Sequence, residues 1–176
     1  MNSFSEIFEQ SFMLKLLVAV MTMIFSISTK AQVNHNSEIY KALKKNDSLI
    51  FDSAFNHCKS SDLIPIIADD LEFYHDQGGI TKGKDTFLNT IKQNICSNPK
   101  SKPIRKLVEG TLEVFPLYNN GVLYGALQKG DHNFYLNETG NIRPTVVAKF
   151  THLWVLENKK WKLKRVLSYD HQPIKN

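Results

Sequence analysis

A change of hydrophobic period near Ile104 divides the chain into two halves. From there to residue 170 the helical period is absent, and alternating β-branched and aromatic residues indicate consecutive strands. The turn sequences YNNG, NETGNIRP and ENKK separate these segments. Turns this short join antiparallel neighbours, so the second half is predicted to be an antiparallel meander. Its strands are predicted over residues 104–116, 122–136, 145–157 and 160–170.

Helical patterns dominate the part of the chain before the meander. Apolar residues at helical spacing predict helices over residues 38–58, 62–68 and 84–96, with Ser37 as the first N-cap. The segment LEFYHD at 71–76 alternates and predicts a strand that ends at a glycine-rich turn. Helices followed by a sheet are typical of the α+β class, in which the helices cover one face of the sheet.

Three glycines, Gly110, Gly125 and Gly130, lie inside the predicted strands. Glycine at such positions often marks a bulge or a bend. The predicted fold is therefore α+β, with a cone-shaped, strongly curved and mostly antiparallel sheet packed on about three N-terminal helices.

The first 31 residues are predicted to lie outside this fold. Residues 16–27, LLVAVMTMIFSI, form an apolar run between Lys15 and the small-residue segment STKAQ, which is a secretory signal pattern. The run is shorter than the about 20 residues that span a bilayer. Cleavage is predicted after Ala31, and an uncleaved anchor or a buried first helix is the alternative. Residues 32–176 would then be a single domain, periplasmic or secreted, without a stable membrane span.

The charge of the chain predicts no nucleic-acid partner. The formal net charge is +5, and it stays +5 after cleavage because Lys15 and Lys30 balance Glu6 and Glu9. Much of the positive charge clusters in the last predicted strand, without a nucleic-acid-binding motif, as on a solvated strand face.

Two cysteines, Cys58 and Cys96, each lie near the end of a predicted helix. In an oxidising compartment they could form a disulfide. Two buried free thiols are the alternative, because cysteine also packs as a small apolar residue. The sequence leaves both open.

The order of elements resembles the nuclear transport factor 2-like superfamily over nearly all of residues 37–171. The segments LEFYHDQGGITKGKDTFLNTI, HLW and KLKRVLSYDHQ carry this resemblance. The superfamily includes ketosteroid isomerases, scytalone dehydratase, polyketide cyclases and exported proteins with no known reaction. The resemblance therefore implies a cone-shaped pocket, and the exported branch of unknown function, without implying an enzyme. It also favours a homodimer through the outer sheet face, where Leu153, Val155 and Val166 are expected.

A turn at Asn158-Lys159 predicts the register of the closing hairpin. The facing pairs would be Leu156 with Trp161, Trp154 with Leu163, His152 with Arg165, Phe150 with Leu167, and Ala148 with Tyr169. These side chains would share the inner face of the sheet. His152 and Arg165 are therefore predicted to face each other inside the cone.

An inward arginine must be paired or solvated, because an isolated buried charge is very costly. One interpretation is that Arg165, helped by His152, binds an anionic small molecule such as a carboxylate. The alternative is an internal salt bridge to Asp76, Glu72 or Glu109. The predicted ligand-binding residues are Tyr74, His132, Phe150, His152, Trp154, Arg165 and Tyr169.

The strand 71–76 carries the candidate catalytic residues. Its alternation should turn Leu71, Phe73 and His75 to one face and Asp76 to the other. In ketosteroid isomerases the general base is an Asp at the end of this strand, and the resemblance places Asp76 there. His75 or Asp76 is thus the candidate base, with Tyr169, Tyr135 or His152 as proton donor. The isomerases' oxyanion hole, a paired Tyr and protonated Asp, has no counterpart that the sequence places.

No metal or other cofactor is predicted, since the strand histidines show no tight ligand spacing. The preferred function is an exported small-molecule-binding domain. The alternative is an isomerase, dehydratase or cyclase acting on a small hydrophobic or carboxylate-bearing substrate. A structural dimer module, with its cone filled by its own side chains, is the third possibility.

Overall fold

The computed structural model describes residues 32–174. The predicted signal peptide and the cleavage site after Ala31 lie outside these residues. No helix in the described range is long and apolar enough to cross a membrane.

Two helical segments precede and interrupt the sheet. Helix α1 spans Glu38–Ser48 and continues as a π-helical stretch over Leu49–Asn56. Its start is fixed by Ser37, whose hydroxyl accepts the backbone N–H of Tyr40 at 3.2 Å. Helix α2 spans Lys84–Thr90 and continues as a π-helical stretch over Ile91–Ile95. Both agree with the helical periods of the sequence to within a turn.

The third predicted helix, at 62–68, is wrong. A short 3-10 helix spans Ser60–Leu63, and strand β1 already begins at Ile67. Pairing with the sheet overrides the local helical pattern, because the N–H of Leu163 donates to the carbonyl of Ile66 at 2.7 Å.

Seven strands form one curved sheet. The strands are β1 Ile67–His75, β2 Gly79–Lys82, β3 Ser101–Leu107, β4 Glu113–Asn119, β5 Val122–Glu138, β6 Asn141–Glu157 and β7 Lys160–Pro173. Their order in the sheet is β2-β1-β7-β6-β5-β3, and β4 also pairs with β5. The pair of β1 with β7 is parallel, and the other pairs are antiparallel.

The single strand predicted at 104–116 is two strands. β3 pairs with the second half of the long strand β5, and β4 pairs with its first half. Both run antiparallel to β5, and between them the chain makes a turn at Gly110, whose φ of 80° is the left-handed conformation that glycine adopts readily. The α+β class and the curved, mostly antiparallel sheet are confirmed, and the sheet is not closed.

A bulge in β7 changes the predicted register of the last hairpin. The pairs Leu156–Trp161 and Trp154–Leu163 form as predicted, but the next pair is Leu153–Arg165. Lys164 is the extra residue, so the side chains from Arg165 to Tyr169 turn to the face opposite to the predicted one.

Two predicted pairs are therefore wrong, because Val166 and not Arg165 lies opposite His152, and Ser168 and not Leu167 lies opposite Phe150.

A second bulge lies further along β7. Val147 pairs with Gln172 and Lys149 with Tyr169, so Asp170 and His171 together face Ala148. The predicted pair of Ala148 with Tyr169 is wrong for this reason. The extra residue returns His171 to the inner face of the sheet, which is the face that the helices cover.

The helices pack on this inner face. The buried core includes Leu43, Ala54, Leu71, Trp154 and Leu163.

Cys58 and Cys96 form a disulfide with their Cα atoms 5.8 Å apart, which joins the chain after α1 to the chain after α2. The two cysteines are 38 residues apart in the sequence. In the chain-entropy account, closing a loop of that length stabilises the folded state by about 4 kcal/mol.

Candidate functional site

A cavity of about 500 Å³ lies between the helices and the inner face of the sheet. Its size falls within the range of small-molecule pockets. Most of its wall is aromatic or aliphatic, contributed by both helical segments and by β1, β5, β6 and β7. Prominent lining residues are Phe51, Phe73, Phe87, Phe134, Phe150 and Val166.

A buried ion pair joins helix α1 to the sheet beside this cavity. The guanidinium of Arg105, on β3, donates to both carboxylate oxygens of Asp47 at 2.8 and 3.0 Å, and both side chains are almost fully buried. The guanidinium also lies 3.7 Å from the centre of the Phe51 ring. Burial raises the pKa of Asp47, and the charge of Arg105 opposes that rise. The pair thus fixes an arginine inside the fold without leaving a free charge.

The same arginine sets the tautomer of His132. Arg105 donates its Nε–H to Nδ1 of His132 at 3.2 Å, so the imidazole proton is on Nε2. Burial, and then the charge of Arg105, lower the pKa of His132 to about 2, so the ring is neutral. Its Nε2 is buried and has no hydrogen-bond partner among residues 32–174. His132 therefore lines the cavity with its ring, while its unused donor is packed beneath the cavity surface.

His152 has the opposite tautomer. Gln128 donates its amide to the carbonyl of Leu43, so its Oε1 is an acceptor, which receives the indole N–H of Trp154 at 2.8 Å. Nδ1 of His152 lies 3.3 Å from the same oxygen and therefore carries the proton. Burial lowers the pKa of His152 to about 3. The lone pair on Nε2 of His152 is left as an acceptor in the cavity wall.

A second polar cluster combines His75, Asp76 and His171. The two imidazoles stack with centroids 4.4 Å apart and planes 17° from parallel. Asp76 accepts Nδ1–H of His171 at 2.5 Å and the backbone N–H of His171 at 3.2 Å. Nδ1 of His75 accepts the backbone N–H groups of Gln77 and Gly78, each at 3.1 Å. Nearly parallel rings do not direct their lone pairs to one point, so this arrangement does not fit a metal ion as it stands.

The pKa shifts in this cluster follow from its contacts. Desolvation acts to raise the pKa of Asp76, but hydrogen bonds from His171 outweigh it and the pKa is lowered. Burial and the neighbouring His171 lower the pKa of His75, against the opposing charge of Asp76. The cluster is therefore a carboxylate held by His171 beside an imidazole that favours its neutral form.

The residues predicted for the site divide into three groups. His75, His132, Phe150 and His152 line the cavity, whereas Trp154 is buried in the core and Asp76, which accepts a hydrogen bond from His171, does not line the cavity. Tyr74, Arg165 and Tyr169 are on the outer face of the sheet, and Tyr135, a predicted donor, does not line the cavity.

The inward position predicted for Arg165 is wrong. The bulge at Lys164 turns Arg165 outward, where it pairs with Glu72 at 2.9 Å, and Tyr74 donates to the same carboxylate at 2.6 Å. Glu72 is among the partners that the sequence allows for Arg165, but the pair lies on the outer face and not inside the cone. The inward arginine is Arg105.

Sequence reasoning missed Arg105, Asp47 and the orientation of His171. One signal was present: Asp47 follows Leu43 by four residues and precedes Ile50 by three, which puts a carboxylate on the apolar stripe of α1. A charge at such a position needs a buried partner of opposite sign. Nothing comparable marks His171, whose inward position depends on a bulge.

No family model and no curated protein sequence matches this chain. Solved structures do match. The chain has a TM-score of 0.56 and 14% identity to a nuclear transport factor 2-like protein from Cytophaga hutchinsonii, over 78% of this chain and 99% of that one. The described chain has the nuclear transport factor 2-like fold.

Two further neighbours support this result. An uncharacterized protein with a cystatin-like fold from Caulobacter vibrioides has a TM-score of 0.60 and 17% identity, over 75% of this chain and 89% of that one. The CamKII hub homology domain from Chlamydamonas reinhardtii has a TM-score of 0.58 and 13% identity, over 79% of this chain and 100% of that one. Identities this low establish the fold and leave the function open.

The two arginines give a direct test of the site geometry. We expect Arg105→Met to reduce the free energy of unfolding by about 3–5 kcal/mol, because it leaves the Asp47 carboxylate buried without a partner. The matched change Arg165→Met removes a partly exposed pair with Glu72 and should cost about 1 kcal/mol or less. Urea unfolding of both variants measures the difference. Equal losses would contradict the placement of Arg105 as the inward arginine.

Proposed function

We propose that this domain binds a small, largely apolar and uncharged molecule in the cavity between its helices and its sheet. The observation that carries the proposal is an aromatic cavity lined by His132, whose Nε2–H is a buried donor without a partner among the described residues. Leaving such a donor unsatisfied costs about 1–3 kcal/mol. A carbonyl or ether oxygen of a bound molecule would satisfy it after a small movement of the side chains that cover Nε2.

The tautomers of the two buried histidines support a more specific ligand. His132 offers a donor and His152 an acceptor, and the ring of Phe150 lies between them, 5.2 Å from one imidazole and 4.6 Å from the other. A matching molecule would have an aromatic body that packs on Phe150, an acceptor for His132 and a hydroxyl that donates to His152. Arg105 is neutralised by Asp47, and no lysine or arginine of residues 32–174 lines the cavity. The anionic ligand expected at Arg165 therefore has no free positive charge to bind there.

The alternative function, proton transfer by an isomerase, dehydratase or cyclase, has weaker support. Nδ1 of His75 is occupied by two backbone N–H groups, so the neutral ring presents Nε2–H, a donor and not a base. Asp76 does not line the cavity, and its carboxylate is engaged by His171. These contacts favour binding over His75 or Asp76 as a general base.

A pair of fluorescent probes tests the binding proposal. We expect 6-hydroxy-2-acetylnaphthalene to bind at least about tenfold more tightly than 2-ethylnaphthalene, since each net hydrogen bond contributes about 1 kcal/mol. His132→Phe should bring the two Kd values closer together, while the exposed His35→Phe leaves their ratio unchanged. Fluorescence titration gives both constants for each variant. No binding of either probe, or an equal ratio in all variants, would refute the proposal.

Export remains part of the proposal and rests on the signal pattern before Gln32. The disulfide between Cys58 and Cys96 supports it, because such bonds persist in oxidising compartments. Protein recovered from its own host should begin at Gln32, be found outside the cytoplasm, and show no alkylated cysteine without reductant. Cytoplasmic protein with its first 31 residues intact and two alkylated thiols would overturn it.

The outer face of the sheet supports a homodimer. Tyr74, Leu127, Leu167 and Tyr169 are exposed there, and a face of this kind is typical of an interface. We expect Leu167→Glu to convert a dimer to a monomer in sedimentation velocity experiments. Ile64→Glu, at an exposed residue before β1, is the control and should leave the dimer intact. A monomeric wild type would rule the dimer out.

A further inference from the structure

Ser168, His171 and Asp76 are hydrogen-bonded in series at one end of the cavity. The hydroxyl of Ser168 lies 3.4 Å from Nε2 of His171, and Nδ1 of His171 lies 2.5 Å from the carboxylate of Asp76. Asp76 also accepts the backbone N–H of His171, which fixes the ring from a second direction. Because Nδ1–H is given to the carboxylate, the lone pair of His171 is on Nε2 and points to the serine.

We propose that Ser168 is a nucleophile for acyl transfer, with His171 as its base and Asp76 as the group that orients His171. An activated serine requires a hydroxyl, an imidazole and an orienting acceptor in this order. The contact between Ser168 and His171 is long, as nucleophile–base contacts often are before substrate binds. The proposal rests on the proposed function, since the substrate must enter the same cavity.

The fold brings the three residues together by a local departure from regular β-structure. In an unbroken strand, residues 168 and 171 would point to opposite faces. The bulge at Asp170, whose φ is 58°, returns His171 to the inner face beside Ser168. A non-glycine residue in this conformation is uncommon, and aspartate adopts it more readily than most. Ser168 and His171 both line the cavity as a result.

His75 supplies the electrophilic group of this site. It lies opposite Ser168 in the parallel pairing of β1 and β7, and it lines the cavity with Ser168. Its Nδ1 accepts two backbone N–H groups, so the neutral ring carries its proton on Nε2. That N–H is available to an oxyanion that forms at the carbonyl attacked by Ser168. The stacking of His75 on His171 fixes both rings.

The reaction is the hydrolysis of a carboxylic ester with an aromatic or branched apolar acyl group. As the serine oxygen bonds to the carbonyl carbon, its proton moves to Nε2 of His171. The bond to the alcohol oxygen then breaks, and the alcohol leaves with that proton. Water next attacks the acyl group on Ser168 and gives a proton to His171, which returns it to the serine oxygen. The net change is ester plus water to carboxylic acid plus alcohol.

A fluorophosphonate probe tests the nucleophile directly, because it phosphonylates activated serines. Incubation of the wild-type protein, followed by peptide mass mapping, should show one adduct, on Ser168. Ser168→Ala should give no adduct, and His171→Gln should slow labelling by at least about a hundredfold, as expected for loss of the base. Ser48→Ala, at an exposed serine, should label like wild type. An unlabelled Ser168 in folded wild-type protein would overturn the proposal.

Hydrolysis of 4-nitrophenyl benzoate provides the second readout. Ser168→Ala should lose at least about a hundredfold in kcat/KM, and His75→Phe should lower kcat more than it raises KM. Hydrolysis that persists in Ser168→Ala would overturn the assignment. The naphthalene probes separate this failure from that of the proposed function. Probe binding without labelling refutes acyl transfer alone, whereas loss of both binding and labelling refutes both proposals.

Discussion

The ion pair between Arg105 and Asp47 determines much of the interior of this domain. It ties helix α1 to strand β3 through two hydrogen bonds in a region from which water is excluded. Such a pair is retained only where its geometry satisfies both charges, because desolvation offsets most of its attraction. Here the Nε–H of the guanidinium is used as well, on His132. Arg105 therefore both neutralises Asp47 and fixes the tautomer of His132, which lines the cavity.

The polarity of the cavity follows from this network. Burial and the positive charge of Arg105 both disfavour protonation of His132 and His152, so each imidazole is neutral and presents a single kind of hydrogen-bonding nitrogen. Around them the wall is aromatic. A site of this kind selects ligands by the position of a few uncharged polar groups, which is how most small-molecule pockets obtain orientation and specificity.

Periodicity in the sequence predicted helices α1 and α2, most strands, the turn at Asn158-Lys159 and the α+β class, because each depends on local patterns. The helix predicted at 62–68 failed because that segment pairs with the sheet instead. The orientation of Arg165 and His171 could not be predicted, because each depends on a bulge that adds one residue to β7. The alternation of apolar and polar residues shows which face of a strand is buried only when the two faces differ in polarity. In β7 both faces carry apolar and charged residues, so the alternation does not show where an extra residue is added. The buried pair of Arg105 was hidden for a different reason, since its partner lies in a distant helix.

The central claim is that neutral His132 and His152 present a donor and an acceptor to a ligand in the cavity. Long-range proton–nitrogen NMR of the imidazole rings tests it most directly, since it reports tautomer and charge for each histidine. At pH 6 the account predicts a neutral Nε2–H ring for His132 and a neutral Nδ1–H ring for His152, with both sets of signals shifting when 6-hydroxy-2-acetylnaphthalene is added. Protonated rings, reversed tautomers, or signals that the probe leaves unchanged would contradict it.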